Sequence, residues 1–123
     1  MSKEQFLAEN IKPGEIYAGL ILGTYGQPDY HLVLLPEESN KDLNWDEAMA
    51  WAKTTGVDLP TRRDQSLLFV NCKTQFKPEG YWSNEQNAIN PVYTWMQYFD
   101  DGDQYNAHKS DEYRALAVRR IYI

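Results

Sequence analysis

The sequence predicts an α+β domain built on a small, mostly antiparallel sheet. Two observations lead to that class. From Tyr93 to Phe99 the side chains alternate: Tyr93, Trp95, Gln97 and Phe99 point one way, and Thr94, Met96 and Tyr98 the other. A period of two is that of a strand, and aromatic residues suit a pleated, half-buried surface. Asp100-Asp101-Gly102-Asp103 then ends the run, because Asp and Gly favour turns. The second observation is a pair of helix starts. Asn44 stands three residues before Glu47, and Thr61 three before Asp64. Each pair can form a capping box, in which two side chains satisfy backbone amides that a helix start leaves unpaired.

Taken in order, residues 1–13 read as an N-terminal arm or short helix with a weak stripe of Phe6, Leu7 and Ile11, closed by Pro13-Gly14. Residues 15–22 read as a strand and 31–35 as its return, with Gly23 to Asp29 as the bend. Pro36 and the polar run 37–41 read as a loop. Behind Asn44, Trp45, Ala48, Met49 and Ala52 share one helical face, and Gly56 is placed to stop it. Pro60 biases Leu59 away from helix, so the second helix starts at Thr61, with Leu67, Leu68 and Val70 as its apolar face. A loop over 73–79 leads to the aromatic hairpin. Residues 103–109 form a polar edge strand, Ser110-Asp111-Glu112 a turn, and 113–123 a closing strand. All of this fits a single domain over residues 1–123.

Charge and composition exclude several functions. The net charge of −6 disfavours direct nucleic-acid binding, which needs a basic footprint, and leaves a basic protein surface as the natural partner. The single cysteine, Cys72, allows no internal disulfide, and no apolar run reaches membrane-spanning length. With no leader visible, a cytoplasmic location is expected, in a host cell if the gene is carried by a phage. Nine tyrosines lift the aromatic share to 14%, which serves either a core of large side chains or a recognition surface.

The motifs also occur in a recognisable order. Trp45-Asp-Glu-Ala-Met-Ala-Trp-Ala is followed by Leu59-Pro-Thr-Arg-Arg-Asp64, Gly80-Tyr-Trp-Ser-Asn-Glu85, Trp95 with Phe99 and Gly102, and Tyr113-Arg-Ala-Leu-Ala-Val-Arg119. Over roughly residues 44–120 the chain resembles the Lcl C-terminal-domain family. That family is common in phage and bacterial proteins and belongs to the C-type-lectin-like superfamily that also holds the formylglycine-generating enzymes. The chain departs from the family pattern at Asp64-Gln65, where Glu-Leu is usual, and at Asn84, where Ser or Thr is frequent. The resemblance implies two helices packed on a small twisted sheet, with the termini brought together by the first and last strands. It marks Trp45, Thr61, Arg62, Asp64, Trp82, Trp95 and Arg119 as structural motif residues. Arg62 and Arg119 are expected to pair with Glu85 or Asp64 and lock helix to sheet; the alternative is an anion-binding arginine.

No catalytic constellation is visible. The oxidising enzymes of the superfamily use a pair of cysteines, and Cys72 is alone in an apolar helical context. His31 and His108 have no Cys or His partner at metal-ligand spacing, Ser83 has no base, and no phosphate loop is present. Asp100, Asp101 and Asp103 with Asn84, Glu85 or Asn90 offer oxygens for calcium, but Asp-Asp-Gly-Asp is equally a good turn, and no metal or cofactor is assigned. Gln27-Pro28-Asp29 matches a galactose-type lectin motif out of its place and is set aside.

A recognition surface remains. Tyr81, Asn84, Glu85, Tyr93, Tyr98, Asp100, Asp101, Asp103 and Tyr105 are its candidate residues, since tyrosine mixed with Asn and Asp suits protein or sugar recognition. The leading expectation is a non-enzymatic, phage- or prophage-encoded module that binds a protein partner, of the host or of the phage, with inhibition of a host defence factor as one form of that role. A stand-alone acidic domain without a fibre or coiled-coil segment favours that role. The alternatives are a virion or tail-associated receptor- or glycan-binding domain and a calcium-dependent sugar binder. An exposed aromatic face also allows a homodimer.

Overall fold

In the computed structural model, which describes residues 2–55 and 57–123, the chain is α+β, with three helices and two small antiparallel sheets. The expected helix stop at Gly56 lies outside the described residues.

The first helix, α1 (Lys3–Asn10), begins with a capping box between Ser2 and Gln5. It is held to the body by Phe6, whose ring lies 4.1 Å from that of His31 and 5.5 Å from that of Tyr17. Strands β1 (Ile16–Ile21) and β2 (Tyr30–Glu38) pair antiparallel, and the last strand, β6 (Leu116–Tyr122), pairs with β2 in the order β1-β2-β6. The first and last strands therefore share one sheet, with β2 between them. The expected loop from Pro36 is corrected. β2 runs on through Pro36 to Glu38, which pairs with Leu116 across a register shift. Proline is tolerated there because the ladder is already interrupted.

Helices α2 (Trp45–Thr54) and α3 (Arg62–Cys72) both open with the capping boxes read from the sequence. Strands β3 (Gly80–Gln86), β4 (Tyr93–Tyr98) and β5 (Gln104–His108) form the second sheet in that order. Short bridges pair Leu43 with Tyr113 and Asp58 with Val118 of β6, and the bridge from Tyr81 of β3 to Arg114, two residues before β6, links the second sheet to the chain entering the first. At the β4–β5 turn Gly102 has φ +82°, a conformation that a side chain opposes. Its N–H donates to the Tyr98 carbonyl, and Asp101 accepts from the Asp103 N–H at 2.9 Å.

Alternation along β3 and β4 splits the core into two. Tyr81 and Phe99 pack with Leu68 and Cys72 of α3. Trp82 and Met96 pack with Trp45, Ala48 and Ala52 of α2. The two helices thus cover opposite faces of the β3–β4–β5 sheet. The buried face of α3 is Asp64, Gln65, Leu68 and Cys72, while Val70 is 76% exposed. That corrects the expected Leu67, Leu68 and Val70 stripe. Polar residues occupy the helix's first buried turn because the sheet beneath offers backbone partners: Gln65 Nε2 donates to the Tyr81 carbonyl at 3.0 Å.

Candidate binding surfaces

The α2 face of the second sheet continues past α2 into an open groove of about 370 Å³. Alternation on β4 and β5 puts Met96, Tyr98, Tyr105 and Ala107 there, and Tyr113 closes one side. Asp100 and Asp101, from the turn that joins the two strands, form its acidic end. The three tyrosines stand edge to face, with Tyr98 5.7 Å from Tyr105 and 6.3 Å from Tyr113. Such T-shaped pairs hold one another in place. Burial, and then a hydrogen bond with Tyr98, pushes the Tyr113 phenol up to about 12. The Tyr105 hydroxyl donates to Asp103 at 3.1 Å, and that carboxylate, with the charges of Asp101 and Asp100, raises its phenol as well. Tyr105 and Tyr113 therefore keep their phenol protons near neutral pH.

Of the residues expected from the sequence, Tyr98, Asp100, Asp101 and Tyr105 come together here, with Asp103 beside them. The others are elsewhere. Tyr81 is 1% exposed, donates to Glu38 at 2.5 Å, and belongs to the core rather than to a surface. Its ring packs edge-on against Phe76 and Phe99, and burial raises its phenol. Tyr93 lies at the opposite end of β4, against the His108 ring at 5.7 Å. Asn84 donates to Asp58 at 2.9 Å, and Glu85 accepts the Arg62 backbone N–H at 2.6 Å. Among the described residues no group of three or more His, Cys, Asp or Glu side chains is placed to hold a metal ion. Tyr113, which anchors one wall, opens the last of the sequence motifs but was not among the expected binding residues.

The motif residues pack and hydrogen-bond within the fold, but neither Arg62 nor Arg119 makes the expected ion pair with Glu85 or Asp64. The Arg62 guanidinium stacks on Trp95 and donates to Gln104, and only its backbone N–H meets Glu85. Trp45 Nε1 donates to the Ser83 carbonyl and Trp82 Nε1 to that of Leu43, so both indoles stitch α2 and its leading loop to β3. Thr61 and Asp64 cap α3. Arg119 pairs with Glu15 at 2.7 Å and caps the Asn10 carbonyl, holding the end of α1 to β6. It meets neither Glu85 nor Asp64. The bridge to Asp64 belongs to its neighbour Arg120, at 2.7 Å, because successive side chains on a strand face opposite ways. Arg120 was not anticipated, and only the alternation of β6 distinguishes it from Arg119.

A second groove, of about 550 Å³, opens on the α3 face of the same sheet. The β1–β2 bend supplies Leu22 and Pro28, α3 supplies Arg62 and Arg63, and β5 supplies Gln104. The Arg62 guanidinium lies 3.5 Å over the Trp95 ring, and its Nε donates to Gln104 at 3.0 Å.

Compared with known proteins, the chain matches no protein-family model and no curated protein.

Proposed function

We propose that this chain is a non-enzymatic protein-binding module on a C-type-lectin-like scaffold of the Lcl kind. Its partner surface is the Tyr98–Tyr105–Tyr113 groove with Asp100 and Asp101 at its end. The observation that carries the reading is that groove: half-exposed tyrosines, locked by their own edge-to-face contacts, beside acidic side chains that form no ion pair among the described residues. Interfaces draw their energy from a few aromatic anchors that lose little freedom on binding, while charge steers the partner in. With a net charge of −6, the partner is a protein presenting a basic patch. A phage-encoded inhibitor of a host defence factor that handles nucleic acid has this chemistry, because such factors expose basic channels.

The test is affinity capture of the tagged chain from bacterial lysate, beside Tyr105→Ala and the double variant Asp100→Lys with Asp101→Lys. Tyr105 is 48% exposed, so its truncation leaves the core intact. A stoichiometric partner that is lost in both variants and released by salt supports the reading. A partner retained equally by both variants, or none at all, refutes it.

A further inference from the structure

We propose that the groove between the β1–β2 bend and α3 binds an organic carboxylate carrying an apolar group, with Arg62 and Arg63 as the receiving residues. The inference starts from how the arginines are used. Arg114, Arg119 and Arg120 each hold a carboxylate: Glu79 at 2.6 Å, Glu15 at 2.7 Å and Asp64 at 2.7 Å. Among the described residues, Arg62 and Arg63 hold none, in a chain with 18 acidic residues. Both line the same groove, whose volume suits a small molecule or a chain end.

Arg62 is held ready rather than loose. Its guanidinium is stacked on Trp95, and its Nε is fixed by Gln104. Gln104 is itself held by the Arg62 carbonyl at 2.8 Å and by Gln97 at 2.9 Å, and Gln97 donates to the Gln65 carbonyl at 2.8 Å. This chain fixes the plane of the fork while its two terminal nitrogens donate to no described residue. A planar fork presented this way matches the two oxygens of a carboxylate. Arg63 reaches the Leu22 carbonyl with Nη1 at 2.9 Å and adds a second positive charge at the bend.

The remaining walls define the rest of the ligand. Leu22 is 59% and Tyr122 61% exposed, and with Pro28 they give an apolar shelf beside the charge. Glu85 also lines the groove, engaged by the Arg62 N–H. A second negative charge there disfavours a phosphate dianion and leaves a monocarboxylate as the better fit. This site is separate from the tyrosine groove: Gln104 and Tyr105, adjacent on β5, point to opposite faces of the sheet.

The experiment is an NMR titration of the whole chain with N-acetyl-leucine, N-acetyl-leucinamide and inorganic phosphate, and with a short leucine-terminated peptide in free-acid and amidated forms. The expected result is saturable shifts at the Trp95 indole and along residues 22–29 with a free carboxylate, and none with the amides or phosphate. The acid alone shifting identifies a free small acid as the source; the free-acid peptide alone shifting identifies a chain terminus. Arg63→Gln, an exposed change that leaves the Trp95 stack in place, is expected to weaken binding about tenfold. Arg62→Lys keeps the charge and loses the fork, with a similar effect. No saturable shift with any carboxylate, equal binding of the amides or of phosphate, or unchanged affinity in Arg63→Gln overturns the proposal.

Discussion

Arg120 and Asp64 meet at 2.7 Å, joining β6 of one sheet to the first turn of the helix that covers the other. Asp64 is fully buried, and it also accepts the Thr61 N–H at 3.0 Å and the Tyr30 hydroxyl at 2.5 Å. Burial works against the charge of Arg120, yet the attraction of Asp64 and Asp58 more than offsets it and holds the guanidinium above its ordinary value. One carboxylate therefore serves as helix cap, ion-pair partner and acceptor for a strand tyrosine.

Asp64→Asn removes the charge and turns an amide toward three donors. Breaking one side of a buried pair costs about 3–5 kcal/mol, because the partner is left desolvated. Asp58, at 3.2 Å from Arg120, softens the loss and sets the lower end as the expectation. Thermal unfolding is expected to drop by roughly 10 °C. A variant melting within a degree or two of the parent would show that Asp64 carries no such role.

Gly80→Ala tests the floor of the tyrosine groove. A Cβ at this position would lie 2.4 Å from the Met96 methyl and 2.8 Å from Tyr113 Cδ1. The methionine end can swing aside. The Tyr113 ring cannot, since it is held edge-on between Trp82 at 5.2 Å and Tyr98 at 6.3 Å. Overpacking of this kind costs about 1–3 kcal/mol. The urea midpoint should fall by a matching amount, and partner affinity with it, because Tyr113 is a groove wall. Unchanged stability would mean that the ring yields freely and is no fixed anchor.

Stability should also decline at alkaline pH in a way that Tyr113 helps to set. The phenols of Tyr30, Tyr81 and Tyr113 are all raised above 10.0, chiefly by burial. The folded state thus holds these protons more tightly than the unfolded chain. That contribution is fully present below about pH 10 and is lost as pH rises through the folded values, which for Tyr113 is about 12. Urea midpoints measured from about pH 9 upward should fall with pH. Tyr113→Phe should flatten the slope, and an identical slope in the variant would rule Tyr113 out.

The elements that the sequence announces are those whose signals are local. Both capping boxes, the Tyr93–Phe99 alternation and the Asp-Asp-Gly-Asp turn depend on residues within a few positions of one another, and all form as read. What escaped is decided at long range. Whether Arg119 or Arg120 reaches Asp64 depends on the register of β6 against β2. Tyr81 and Tyr98 are chemically alike on neighbouring strands, yet one is core and the other lines a groove, because α3 covers only the Tyr81 side. The split of the expected binding residues follows from the same fact: Asn84 and Glu85 approach the start of α3, while Tyr98 and Tyr105 face away from it.

Helix α3 gives the sharpest test of that long-range control. Its local pattern offers Leu67, Leu68 and Val70 as an apolar face, but only Leu68 is fully buried, beside Cys72 and the polar pair Asp64 and Gln65. Leu68→Ala should cost about 2–5 kcal/mol, the usual range for a buried leucine that leaves a cavity. Val70→Asn, at 76% exposure, should stay within about 0.5 kcal/mol, as exposed substitutions do. Chemical denaturation of the two variants side by side decides the matter. A large loss at Val70 with little at Leu68 would mean that α3 is rotated on the sheet. Arg62 and Arg63 would then no longer face the carboxylate groove, so the same pair of measurements bears on the site as well as on the fold.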